Sequence, residues 1–291
     1  MAEYVLITGA TGGLGKAFAA ECAARGWDLF LTDISDPALD RLVAGLKRMY
    51  DVQIESYACD LTSAASRQDL WQHIEGQDLR FHTLINVAGL DYEGPFDERQ
   101  VAELHTVIRL NIEATLEMTH AIMAYRDPTR PFRIINVASL AAYYPMPVKA
   151  TYAASKRFLM DFSFALRSEL REMGATVTVL CPAGMPTTRD CVRAIDAQGI
   201  LGQLTTQNTG TVANQTLNAA LKGEAVCIPG SLNRLIQFAG SLIPTAWVVS
   251  LIGSRWKTAR QKQIAQAEDG CCAVEIAKRF PQHNKTSKKV V

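Results

Sequence analysis

Tyr4-Val-Leu-Ile-Thr-Gly-Ala-Thr-Gly-Gly-Leu-Gly15-Lys-Ala-Phe-Ala-Ala20 is the stretch on which the fold turns. A short apolar and β-branched run leads into a glycine-rich turn, and the turn leads straight into helix-forming residues. Such a strand, turn and helix open a βαβ unit. Glycine permits the tight turn and brings backbone N–H groups close to a bound anion. The helix N-terminus adds partial positive charge, as a pyrophosphate requires. A glycine-rich turn without a ligand has the same letters, so the rest of the chain must decide.

Working outward, short apolar runs alternate with longer helical patterns. Strands are expected at Tyr4-Thr8, Asp28-Thr32, Val52-Ala58, Thr83-Val87, Arg133-Val137, Thr176-Leu180 and Ala225-Ile228. Most are continuous rather than alternating, as in strands buried on both faces. Helices are expected near Leu14-Arg25, Ala38-Tyr50, Ala64-Glu75, Glu98-Tyr125 and Thr151-Met173. The pattern is that of an α/β protein with a parallel sheet of about seven strands. At 291 residues the chain suits one such domain with an appendage. Apolar residues make up 48% and charged residues 20%, which excludes bulk disorder and fibrous repeats. The net charge of +1 lacks the basic excess of a nucleic-acid binder. From Arg255 to Val291 nine Lys/Arg face three Asp/Glu, so the tail alone is basic.

Asp33 ends the second strand, twenty-four residues after Gly9. Its carboxylate suits the two hydroxyls of an adenosine ribose and would repel a 2′-phosphate. Asp36 before Pro37 is the expected cap of the next helix, which leaves Asp33 free for ligand. No basic residue precedes Gly13 or follows Asp33, so NAD is favoured over NADP. Asp60, in Cys59-Asp60-Leu61, reads either as an adenine contact or as a simple strand-end cap.

The chemistry lies in Arg133-Ile-Ile-Asn-Val-Ala-Ser139 and, thirteen residues on, Tyr152-Ala-Ala-Ser-Lys156. Tyr152 and Lys156 are four apart in a helical stretch and share one face. A phenol needs a downward shift of about three pH units to act near neutrality, and an ammonium at about 4 Å supplies roughly that. Ser139, at the carboxyl edge of the sheet, would hydrogen-bond the same substrate oxygen. Each piece alone also fits an exposed Tyr/Lys pair and a strand-end serine.

Taken together, these residues resemble the short-chain dehydrogenase/reductases, in the shorter subtype. The resemblance covers about residues 3–230. It is carried by Thr8-Gly-x-x-x-Gly-x-Gly15, Asp60, Asn86-Val-Ala-Gly89, Asn111, Ser139, Tyr152-x-x-x-Lys156 and Pro182 to Thr187. It implies a Rossmann-type doubly wound fold in which Tyr152 is the general acid/base and Ser139 polarises the carbonyl. Lys156 binds the nicotinamide ribose and lowers the Tyr152 pKa, and Asn111 holds a water for proton relay. Cofactor contacts fall on Gly9, Thr11, Gly13, Leu14, Gly15, Asp33, Asp60, Leu61, Asn86, Ala88, Gly89, Tyr152, Lys156, Pro182 and Thr187. Departures are Val87 and Ala183, which stand where the family has Asn and Gly. The glycine loop also fits the spacing of the longer, epimerase-type subtype; the Ser139 to Tyr152 interval favours the shorter one.

Substrate choice is expected in Pro186 to Lys222 and beyond Pro229. From Leu235 to Ser254 there are twenty uncharged residues, with polar and glycine breaks and Pro244. Leu232, Leu235, Ile236 and Ala239 form one amphipathic face, and Trp247, Val248, Leu251 and Ile252 a second. Residues 231–265 are read as a substrate lid, a subunit contact or a membrane-surface contact aided by Arg255, Lys257, Arg260 and Lys262. A true span is the weakest of these readings. Residues 1–230 form the dinucleotide-binding and catalytic domain, and 266–291 a basic tail. Apolar residues on several faces of Thr151-Met173 suggest a homodimer or homotetramer. Seven unpaired-looking cysteines, no signal sequence and no metal-ligand spacing suggest a cytoplasmic protein that needs no metal. The expected activity is NAD(P)(H)-dependent interconversion of an alcohol and a ketone or aldehyde on a hydrophobic small molecule. A lipid-directed reductase at a membrane surface and a non-catalytic dinucleotide sensor are the other readings.

Overall fold

The computed structural model describes residues 3–187, 191–192, 195–196, 199–250 and 253–254. Seven strands form a single sheet, every pairing parallel, in the order β3-β2-β1-β4-β5-β6-β7. They are β1 Glu3–Thr8, β2 Asp28–Asp33, β3 Ile54–Ala58, β4 Arg80–Asn86, β5 Phe132–Val137, β6 Ala175–Leu180 and β7 Val226–Cys227. The order reverses between β1 and β4, which opens a crevice above their carboxyl ends.

Strand alternation explains the continuous apolar runs. In β1, Val5 and Ile7 enter one core with helices α1 (Gly13–Ala24) and α2 (Asp36–Met49), while Tyr4 and Leu6 enter the opposite core. That second core holds α3 (Ala64–Gly76) and α5 (Ala114–Ile122), which follows α4 (Val101–Ile108). On this face Leu159 and Met160 of α6 (Ala150–Glu169) add a third cluster with Val179 and Cys181. Both faces of the sheet are therefore dry. Each fully buried side chain such as Phe18 or Phe81 contributes about 2–3 kcal/mol.

Three features depart from the sequence reading. The long helix expected over Glu98-Tyr125 is interrupted by a π-helical turn, Arg109–Glu113, with Asn111 at its centre. The wide turn is secured by Arg67, a fully buried cation that pairs with Glu113 at 2.9 Å and Glu117 at 2.5 Å. Within Pro186 to Lys222, where no helix is expected from the sequence, α7 (Gly199–Thr205) and α8 (Thr209–Leu221) form, α8 capped by the Asn208 side chain and packed on α1. Asp36 does not cap α2. Ser35 occupies that position without a side-chain bond, and Asp36 lies in the first helical turn, where its charge suits the helix dipole.

The C-terminal helix α9 (Ser231–Ser241) is inverted relative to the simplest expectation for a lid. Asn233, Gln237 and Gly240 face the body: Asn233 is buried and donates to the Thr205 and Pro229 carbonyls, and the Tyr144 hydroxyl donates to the Gln237 carbonyl at 2.8 Å. The apolar residues point outward, with Leu235 and Phe238 each 62% exposed and Trp247 74% exposed. Leu251 and Ile252, and the chain from residue 255 onward, lie outside the described residues.

Candidate active site

The glycine turn sits at the crevice where the strand order reverses. Gly9 adopts φ +64°, and a Cβ there would lie 2.8 Å from the Ala88 backbone beyond β4. A Cβ at Gly15 would fall 2.1 Å from the Gly9 carbonyl oxygen. The glycines thus let two loops and a helix converge. The N-terminus of α1 has no side-chain cap and no acidic residue in its first turn, so its N–H groups remain available to an anion. This cradle fits the pyrophosphate of a dinucleotide.

Leu14 and Leu61 bury their side chains in the core, so only their main chain could serve a ligand. Thr187 rests against Gly13, where a Cβ would come within 2.9 Å of it, so the Pro182 to Thr187 segment closes over the glycine turn. Pro182 is buried, its carbonyl accepting from the Leu140 amide at 2.9 Å.

Asp33 is engaged rather than free. Its Oδ2 accepts from the Thr11 amide and hydroxyl, both at 2.8 Å, and its Oδ1 accepts from the Ile34 amide at 2.7 Å. A carboxylate has about four acceptor directions, so one is left for a ribose hydroxyl. Asp60 takes the strand-end role: its Oδ1 accepts from the amide and hydroxyl of Thr62. The Asn86 side chain turns away from the crevice and donates to Asn136 Oδ1 at 2.9 Å and Thr119 Oγ1 at 3.1 Å. Asn136 in turn donates to Ser163 Oγ, so a buried amide ladder joins β4, β5 and α6. Beside it, Thr8 Oγ1 accepts from the Val87 and Ala88 amides.

Ser139, Tyr152, Lys156 and Asn111 come together beyond the ends of β4 and β5. The Ser139 hydroxyl accepts from the Ala141 amide at 3.1 Å and acts on the Tyr152 phenol so as to favour its ionised form. The Lys156 ammonium is buried, donates to the Val137 carbonyl at 2.8 Å and lies 5.7 Å from the Tyr152 ring centroid. Asn111 is fully buried; it accepts from the Leu90 amide and donates to the Leu90 carbonyl and Ser155 Oγ. A Cβ on Gly89 would stand 3.2 Å from Lys156 Nζ and 3.3 Å from Asn111 Oδ1, so glycine leaves room for both.

The electrostatics of the protein alone run opposite to the simple lysine argument. Burial first, then the Asp91 charge, pushes the Tyr152 phenol up to about 12, against the Ser139 hydroxyl and Lys149, which pull it down. Burial lowers Lys156 to about 8. The reason is distance and desolvation: Lys156 is spent on the Val137 carbonyl, and a dry site penalises any charge. Lys149 and Asp91 were not anticipated. Lys149 lies three residues before Tyr152, and the same spacing rule that picks out Lys156 finds it. Asp91 carries no local signal.

The model for short chain dehydrogenase matches residues 3–196. Sulfoacetaldehyde reductase 2 of Chromohalobacter salexigens is 33% identical over 195 residues, covering 66% of this chain and 77% of its own. The very-long-chain 3-oxoacyl-CoA reductase of Pyrenophora tritici-repentis is 34% identical over 180 residues, 60% of this chain, and the match spans about half, 52%, of that relative's length. Among solved structures, a short-chain dehydrogenase from Sphingobium yanoikuyae in complex with NADPH is 27% identical with a TM-score of 0.67, covering 84% of this chain and 97% of that one. With the sheet order, the glycine cradle and the family match in agreement, the chain belongs to the short-chain dehydrogenases, oxidoreductases that depend on a nicotinamide dinucleotide.

Proposed function

We propose that the protein interconverts a carbonyl and an alcohol on a hydrophobic small molecule, with Tyr152 exchanging the proton. The observation that carries this reading is the buried Lys156 ammonium, tied to the end of β5 and 5.7 Å from the Tyr152 ring, with Ser139 acting on the same phenol beside the glycine cradle. The nicotinamide, when bound, supplies or accepts the hydride and, oxidised, brings a positive charge to the site. Thr11, Asp33 and the α1 N-terminus would hold the adenosine and pyrophosphate, and Lys156 the nicotinamide ribose. Ser139 and Tyr152 clamp the substrate oxygen as charge develops on it. Protonated at neutral pH, the Tyr152 phenol is the proton donor in the reductive direction and must be made more acidic to serve as the base in the oxidative one. Asn111 keeps the Leu90 loop in place beside Lys156 and lines the route for proton exchange.

NAD is the preferred dinucleotide in this reading, because the Asp33 carboxylate would meet a 2′-phosphate. The test is a panel of ketones and aldehydes with NADH and NADPH in parallel, read as loss of reduced-cofactor absorbance. Tyr152→Phe should lose turnover by orders of magnitude and still bind NADH; unchanged turnover rejects the acid/base role. A protein that binds NADH but reduces nothing on a broad panel would favour the non-catalytic sensor.

Residues 1–230 are taken as the catalytic unit and 266–291 as an appended basic tail. We assign residues 231–265 to surface contact, because the outward apolar row of Leu232, Leu235, Ile236, Phe238, Leu242, Ile243 and Trp247 leads into Arg255, Lys257, Arg260 and Lys262. Apolar side chains followed by a basic run suit the surface of an anionic bilayer. Among the described residues no helix is long and apolar enough to cross a membrane. Exposed Phe158 and Phe164 on α6 support a homodimer through a separate face. Cosedimentation with vesicles of phosphatidylcholine and phosphatidylserine should fall for Leu235→Glu/Phe238→Glu while the mass in solution stays dimeric. A change in mass without a change in cosedimentation would assign the row to subunit contact. A cytoplasmic setting accords with the reduced thiols of Cys22, Cys59, Cys181 and Cys227.

A further inference from the structure

The loop that follows β4 passes beside Tyr152 and is fastened at two points. Asn111 holds Leu90 by both main-chain groups, and the Gly94 amide donates to the Val148 carbonyl at 2.8 Å. Between them, the Lys149 ammonium bonds Asp91 at 2.5 Å and Glu93 at 3.2 Å, with only 15% of the lysine side chain exposed. Lys149 is the residue just before α6, three before Tyr152, while Lys156 is four after it. These spacings bring both lysines to one face. Their Nζ atoms lie 5.9 Å and 5.7 Å from the Tyr152 ring centroid, so two cations stand within 6 Å of the ring.

The charged and titratable groups acting on the phenol are Asp91 from the loop, Lys149 just before α6, the Ser139 hydroxyl after β5 and the Cys191 thiol after β6, with Lys156 of α6 against the ring; Glu93 acts on Lys149. Asp91 opposes a phenolate, and Lys149 favours it. Burial works against the charge of Lys149, but Asp91 and Glu93 outweigh it and keep the ammonium protonated.

We propose that Lys149 is a positioning residue for the reaction: held by Asp91 and Glu93, it clasps the loop to the start of α6 and balances the Asp91 charge beside the reacting phenol. The clasp rests on the acid/base role proposed above for Tyr152. It differs from a plain structural tie because its two ends act on Tyr152 with opposite sign. Removing the cation makes the phenolate harder to form, and removing the Asp91 anion makes it easier.

The test uses the full chain carrying Lys149→Met, Lys149→Arg, Asp91→Asn or the double change Asp91→Asn/Lys149→Met, with melting curves and NADH binding as fold controls. Two readouts are followed from roughly pH 6 to 11. One is NAD-dependent oxidation of 1-phenylethanol. The other needs no turnover: the 295 nm absorbance of each NAD-saturated protein minus that of its Tyr152→Phe counterpart. Lys149→Met should move the alkaline transition up by roughly one pH unit and Asp91→Asn should move it down by about as much. The double change should return near the parent, and Lys149→Arg should restore it. Transitions that stay put, or that move the same way in both single variants, overturn the proposal even where kcat falls. Turnover surviving in Tyr152→Phe would overturn the role of Tyr152 instead, and is read separately.

Discussion

Gly9→Ala and Gly26→Ala separate two costs that glycine carries in this fold. Both glycines have a left-handed backbone, φ +64° and +75°, so an alanine pays about 1 kcal/mol of backbone strain at either site. At Gly26 nothing lies within 4 Å of the added Cβ. At Gly9 the same atom would sit 2.8 Å from the Cα and N of Ala88, main-chain atoms of the opposite loop. Forcing that contact apart adds about 1–3 kcal/mol. Gly9→Ala should therefore cost about 2–4 kcal/mol, and Gly26→Ala about 1. The same displacement widens the cradle at α1, so Gly9→Ala should weaken NADH binding about tenfold or more, a loss of about 1.4 kcal/mol or more, and Gly26→Ala should not. Urea unfolding followed by tryptophan fluorescence gives the stabilities, and titration of NADH fluorescence gives the affinities. Equal stability losses in the two variants, with NADH bound as in the parent, would refute the convergence of two loops at Gly9 as the reason for glycine there.

Asp33→Ala should lower affinity for NADH and raise affinity for NADPH relative to NADH, since both the ribose acceptor and the repulsion of a 2′-phosphate are lost; a parent protein that binds NADPH more tightly than NADH contradicts this. Burial holds Lys156 near 8 in the folded chain, below its unfolded value, so the folded state binds fewer protons between about pH 8 and 10.5 and stability from this group rises with pH across that window. The stability difference between the parent and Lys156→Met, measured by urea unfolding at several pH values, should grow in favour of the parent over that range; a flat difference would show that Lys156 is not desolvated. Asn111→Ala removes three hydrogen bonds from a fully buried site, and should cost about 2–4 kcal/mol and speed hydrogen exchange at the Leu90 amide. Unchanged exchange there would detach the loop from the π-helical turn.

The elements of the sheet were legible in the sequence because each is a local signal. Runs such as Tyr4 to Thr8 and Arg133 to Val137 are apolar on both sides, and a strand with two dry faces needs nothing more to announce itself. The glycine turn and the Ser139, Tyr152 and Lys156 spacing are likewise short-range. What escaped has non-local causes. The π-helical turn at Asn111 depends on Arg67, some fifty residues away in the chain, drawing Glu113 and Glu117 onto α3. The Asn86 side chain bonds Asn136 and Thr119, partners that strand register supplies and the local motif does not reveal.

The sequence by itself determined the parallel α/β architecture, the glycine-rich turn and the spacing of Ser139, Tyr152 and Lys156, since periodicity and fixed spacings encode all three. Only the tertiary structure decided the acidity of Tyr152, whose pKa burial and an aspartate from a distant loop raise above what its own helix could predict. It also decided the direction of α9, whose polar side finds Thr205, Pro229 and Tyr144 and so turns the apolar side outward. Desolvation and the choice of which face finds partners belong to the assembled molecule, because both depend on atoms far apart along the chain.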